Sequence, residues 1–262
     1  MKPDISRIVQ SLKGTIVTIV IALTSGIALA DSHATASSAP AASAPLEAEF
    51  EQRVRDYILS HPEVVVEAFT LWQAQQQAQQ QGQIKATIAE HQAAIFEDPD
   101  SPVGGNPEGD VTIVEFFDYN CPYCKKVVPV MAALAEADSQ LRFVYKEFPI
   151  LGPASDFAAR AALAAREQGK YLELHQALMT SDTRLTEDRV LELARETGLD
   201  IDVLKTDMQH EAIEAQFARN RQLARALNIT GTPGFVIGSE VLGGAADRRT
   251  FEALIERARQ AQ

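Results

Sequence analysis

Cysteine is nearly absent from this chain: 262 residues hold two, Cys121 and Cys124. That scarcity excludes a disulfide-stapled scaffold, which needs several bridges. Histidine is sparse too. His33, His61, His91, His175 and His210 are scattered, with no pair at ligand spacing, so a structural zinc site lacks its four ligands. Basic residues are in deficit, 24 Lys and Arg against 36 Asp and Glu, for a net charge of −12. Such acidity argues against nucleic acid as a partner. Beyond the N-terminus there is no second long apolar run, and no internal repeat is evident.

The two cysteines that are present stand together as Cys121-Pro122-Tyr123-Cys124. An apolar run, Val111 to Phe117, reads as a strand leading into them, and a helix is expected from Pro122 to about Ala137, bent near Pro129. Strand, C-x-x-C and helix in that order is the arrangement of a thioredoxin-like redox site. A helix N-terminus favours negative charge, which points to Cys121 as the nucleophile and as an exposed thiol. A purely structural disulfide is the alternative. Closing so short a loop stabilises by only about 2 kcal/mol, against about 4.7 for a loop of ~100 residues.

The N-terminus carries the marks of an export signal. Lys2, Arg7 and Lys13 precede an uncharged stretch from Gly14 to Ala28, and Ala28-Leu29-Ala30 fits the small-x-small cleavage rule. An uncleaved anchor is the alternative; either way the body lies outside the cytoplasm, where thiols can be oxidised. Residues 1–30 are thus assigned as signal and 31–45, small and polar, as a disordered linker.

Residues 46–97 read as a helical extension. Phe50, Val54, Tyr57 and Ile58 recur at helical spacing, Ser60 to Glu63 looks like a capping box, and Val65, Phe69 and Trp72 follow. Eight of the eleven residues from 73 to 83 are glutamine, a stretch polar all round. A helix pair this small cannot cover its own aromatic residues, so they must pack on the main domain or on another copy of the chain.

The main domain is expected from 98 to 262, in the order strand, helix, strand, helical block, hairpin, helix, with the helical block inserted at about 151–227. Two further places bear on the site. Thr232-Pro233 stands just before the strand Phe235 to Ile237, where proline is tolerated. Glu115 sits inside the apolar strand, sharing a face with Ile113 and Phe117. A buried carboxyl there would suit a proton acceptor for Cys124; a half-exposed strand-edge glutamate is the alternative. Lys125 and Lys126 read as solvated surface lysines.

The run Phe116 to Cys124, the Gly231-Thr232-Pro233 stretch and the helical block between them resemble DsbA-like thiol:disulfide oxidoreductases, over about residues 98 to 262. The extension resembles that of the ScsC-type branch. The resemblance implies an α/β thioredoxin fold with an inserted helical domain, Cys121 as attacking and Cys124 as resolving thiol, Glu115 as buried acid, and a cis proline at 233 touching clients. It implies no cofactor or metal. It also implies exported, cysteine-containing clients, a membrane redox partner that resets the site, a periplasmic location and a homo-oligomer, with trimers among relatives. Pro122-Tyr123 and Thr232 depart from the Pro-His and Val of typical oxidases, which favours isomerase or reductase work over oxidation. A non-catalytic binding or chaperone module with a passive disulfide is the alternative from another class.

Overall fold

The computed structural model describes residues 44–261. The expected signal, its cleavage site and the linker up to residue 43 lie outside the described residues. The chain divides into two compact units, one ending at Pro62 and one beginning at Glu63.

The first unit is helix α1, Ala44–Ser60, which already takes in Pro45. Proline is at home in a first helical turn because its missing N–H has no helical partner there. The expected capping box does not form. Ser60 is the last residue of α1, and its hydroxyl turns back to donate to the Asp56 and Tyr57 carbonyls at 2.7 and 3.0 Å. Phe50, Tyr57 and Leu59 are more than half exposed.

The second unit opens with α2, Glu63–Glu90, one unbroken helix through the glutamine-rich stretch and Gly82. Glutamine is a good helix former, so the segment needs no core contact to keep its backbone helical. Val65, Phe69 and Trp72 are exposed. Lower down, Ile84 and Ile88 reach the sheet, joined by Ile95 and Phe96 of α3, Gln92–Phe96.

Five strands follow: β1 Val103–Gly105, β2 Val111–Phe117, β3 Leu141–Glu147, β4 Gly234–Ile237 and β5 Glu240–Gly243. They lie in the order β1-β3-β2-β4-β5, with β2 and β3 parallel and the other pairs antiparallel. Central β2 is apolar because both its faces are covered. Val114 and Phe116 face Ile88, Ile95 and Leu223. Ile113 on the other face meets Val127 and Leu134 of α4, Pro122–Ala137, and Phe251 and Leu254 of the closing helix α10, Arg248–Gln260. Between β3 and β4 come α5 Pro153–Ala164, a short 3-10 turn, α6 Tyr171–Thr180, α7 Glu187–Glu196, α8 Ile201–Asp207 and α9 Glu211–Ala226. The alanine-rich α5 packs against α6 and α7, since small side chains let helices approach closely.

Candidate dithiol site

The site is assembled where β2 runs into α4. Past Phe117 the chain turns through Asp118, whose buried carboxylate accepts from Asn120 N (2.8 Å), Ile150 N (2.8 Å), Leu151 N (3.0 Å) and Ser155 Oγ (2.7 Å). One side chain thus satisfies four donors and ties the cysteine loop to the start of the helical block. Asn120 adds a second tie, accepting from Leu185 N at 2.8 Å.

Cys121 is the N-cap residue of α4, with Pro122 in the first turn. Its free thiol donates to the Thr232 carbonyl at 3.2 Å. The Thr232-Pro233 peptide is cis and Pro233 is buried. A side chain at Gly234 would come within 2.5 Å of Ile229, so glycine lets β4 begin this close to the preceding loop. The expectation of an exposed Cys121 is corrected: it is only 4% exposed, because the Thr232 loop lies over its sulfur. The surface beside it is Pro122 and Tyr123, the latter 61% exposed.

Cys124 is fully buried. Burial, and after it the Glu115 charge, push its thiol well above the ordinary range. Glu115 is itself buried between Tyr145 on β3 and Phe235 on β4, not at a strand edge. Burial pushes its carboxyl up to about 8. An acid and a thiol that both resist ionisation, and that feel one another's charge, can exchange a proton within the protein.

Lys125 is not a solvated surface lysine. It is half-buried, and its ammonium donates to the Ser181 carbonyl at 2.5 Å, pinning α4 to the loop before α7. Lys126 is exposed as expected.

Sequence reasoning missed a second buried cluster beside the loop. Tyr119 and Tyr171 both donate to Glu147 Oε1 at 2.9 Å, and Tyr119 Oη lies 3.1 Å from His175 Nδ1. Glu147 is held well above the carboxylate range by burial, and burial lowers His175 to about 3. The available signal was Lys146-Glu147, two adjacent charges at the end of a strand. Among the described residues, no group of three or more His, Cys, Asp or Glu could hold a metal ion.

Comparison with known proteins gives the family. Residues 112–256 match the DSBA-like thioredoxin domain, and residues 47–79 match the copper resistance protein ScsC N-terminal domain. A thioredoxin-like oxidoreductase from Silicibacter pomeroyi DSS-3 is 48% identical with a TM-score of 0.64, covering 65% of this chain and 98% of its own. A linker-deletion mutant of Proteus mirabilis ScsC is 27% identical with a TM-score of 0.64, covering 87% of this chain and all of its own. The Salinispora tropica Na(+)/H(+) antiporter NhaA 3 is 32% identical over 143 residues, 53% of this chain and 22% of that protein. The chain spans 22–27% of the length of the first curated relatives it matches. A match to the DSBA-like domain over more than half of the chain, on the fold and dithiol geometry described above, places this protein in the DSBA-like thioredoxin domain family, with an ScsC-type N-terminal segment.

Proposed function

We propose that the protein is a periplasmic thiol:disulfide interchange enzyme acting on exported proteins, with isomerisation or reduction of misbonded clients as its main work. The observation that carries this reading is the asymmetry of the dithiol. Cys121 is the N-cap residue of a helix beside a surface of Pro122 and Tyr123, while Cys124 is sealed in the core within reach of the Glu115 charge. In the forward step the Cys121 thiolate attacks a client disulfide and one client sulfur leaves as thiolate. Cys124 then passes its proton to the ionised fraction of Glu115 and attacks the Cys121 sulfur. That closes the Cys121–Cys124 disulfide and releases the second client thiol. Thr232 and Pro233, lying over Cys121, are the contact for the client backbone.

Isomerisation is preferred because Pro122-Tyr123 and Thr232 differ from the oxidase pattern, and because the exposed aromatic residues of α1 and α2 suit assembly. An oligomer, a trimer by resemblance, brings several dithiols to one client and raises the local thiol concentration. Oxidation of clients is the second reading, carried by the family resemblance. The deciding experiment pairs the mass of the mature protein in solution with its activity on a scrambled-disulfide substrate. An oligomer that regains native pairing supports the reading. A monomer that only oxidises reduced substrate moves it to the oxidase. Slow, equal alkylation of both cysteines would leave a passive disulfide.

A further inference from the structure

The three residues before Cys121 each give their side chain to a different place in the helical block or at its entrance. Asp118 Oδ2 accepts from Ile150 N and Leu151 N, and its Oδ1 accepts from Ser155 Oγ at the head of α5. Tyr119 donates to Glu147, the last residue of β3, and lies 3.1 Å from His175 Nδ1 on α6. Asn120 Oδ1 accepts from Leu185 N, just before α7. The ladder between β2 and β3 ends at Phe117, opposite Glu147, so side chains and not the sheet set where these three residues lie.

Asp118 is also bonded to both cysteines through its backbone. Its carbonyl accepts from Cys121 N at 3.0 Å. Burial pushes the Cys124 thiol up, and the Asp118 backbone N–H, donating to its sulfur, pulls the other way. Such a bond is stronger to a sulfur that carries negative charge than to a neutral one. The anchor of the middle residue comes at a cost to stability. Glu147 is buried, its Oε1 accepts both phenols, and its Oε2 has no partner. A bare buried oxygen calls for a reason other than packing.

We propose that Asp118, Tyr119 and Asn120 form a clasp through which the helical block positions the dithiol and biases it toward the reduced state. All three are positioning residues, acting on exchange through Cys121 and Cys124. The clasp presupposes that these two cysteines are the exchanging pair. While it is closed, the Asp118 N–H is held on the Cys124 sulfur. Oxidation joins the two sulfurs with loss of two protons and two electrons, and the electrons pass to the disulfide that is reduced. The joined sulfur gains less from that N–H, so a closed clasp favours the dithiol. A dithiol kept reduced is the form that attacks a client disulfide, which suits isomerisation or reduction. By linkage, whatever the clasp adds to the dithiol over the disulfide also appears as a difference in stability between the reduced and oxidised protein.

Equilibration with glutathione tests this. Each Cys121–Cys124 disulfide formed reduces one glutathione disulfide to two thiols, and the oxidised fraction is read by acid quench and alkylation. Tyr119→Phe removes the phenol bond to Glu147, Ser155→Ala removes one donor to Asp118, and neither change touches a sulfur. Tyr171→Phe is the control: it removes a bond of the same 2.9 Å length to the same Glu147 oxygen but leaves the cysteine loop held. Both clasp variants should shift the equilibrium constant roughly threefold to tenfold toward the disulfide, the worth of about one hydrogen bond. The ratio of the unfolding constants of the reduced and oxidised protein should change by the same factor. Tyr171→Phe should weaken both redox forms alike and leave the equilibrium where it was. Either clasp variant at the wild-type constant, or Tyr171→Phe shifted as far as they are, overturns the clasp. Mixed disulfides formed by Cys121→Ser at the wild-type rate would instead overturn the reading of the exchanging pair.

Discussion

At the scale of single residues, Glu115 carries the sharpest consequences. Its carboxyl titrates near 8 in the folded protein against 4.5 when unperturbed, through burial. The folded state therefore holds the proton more tightly than the unfolded one. Its contribution to stability is complete below pH 4.5 and is lost as pH rises through 8. The unfolding free energy of the wild type, minus that of Glu115→Gln, should fall by about 1.4 kcal/mol per pH unit in that window and be flat above it. Urea titrations at several pH values check this, and a flat difference from pH 5 to 8 would remove the raised acid. His175 has the opposite slope, losing stability as pH falls from 6.5 towards 3, but it is common to both proteins and cancels. The cysteines predict a second asymmetry. Cys124→Ser should accumulate mixed disulfides with clients, and Cys121→Ser should form none, as read by non-reducing gels after acid quench. Faster alkylation of Cys124 than of Cys121 in the reduced protein would reverse the assignment.

At the scale of elements, strands β2 to β5 and the helices from α4 to α10 were legible because each has a clean period and clear punctuation. Val111 to Phe117 alternates across two covered faces, and Thr186, Asp200 and Asp247 cap their helices with side-chain bonds. The Cys-Pro-Tyr-Cys helix and Thr232-Pro233 were legible as motifs. What was not legible depends on partners distant in sequence. Ser60 looked like an N-cap but closes α1, because the same hydroxyl can serve either end. Lys125 looked like surface until Ser181 was placed beside it. Lys146 and Glu147, at the end of β3, find their partners far along the chain, Asp98 for the lysine and Tyr119 and Tyr171 for the glutamate. Lys146 is fully buried and donates to the Ala94 carbonyl at 2.7 Å and to Asp98 Oδ2 at 3.0 Å. Removing it leaves the Ala94 carbonyl without that donor and Asp98 without its countercharge, though Ser101 Oγ and Asp100 N still donate to the carboxylate. Lys146→Met should destabilise by roughly 3 kcal/mol, the low end of the cost of breaking a buried pair, because Asp98 keeps some solvent. Chemical denaturation measures it; a loss under about 1 kcal/mol would mean the methionine repacks freely.

At the scale of the whole molecule, the contrast within α2 sets the prediction. Its first turns expose Val65, Phe69 and Trp72, while Ile88 is buried against the sheet. Removing residues 31 to 72 therefore spares the sheet contacts that a deletion running to 97 would strip. The shortened protein should be a monomer by sedimentation, keep the Cys121 alkylation rate, and lose most activity on scrambled disulfides. A truncated form that still sediments as an oligomer would place the assembly surface elsewhere. The buried ammonium of Lys146 then acquires a mechanical meaning. It works as a rivet where the incoming chain meets β3, the strand beside the one that delivers the dithiol. It ties the segment that follows α2 to the sheet. Any give along α2 falls upstream, at Gly82, the weakest helix former of the glutamine-rich turns.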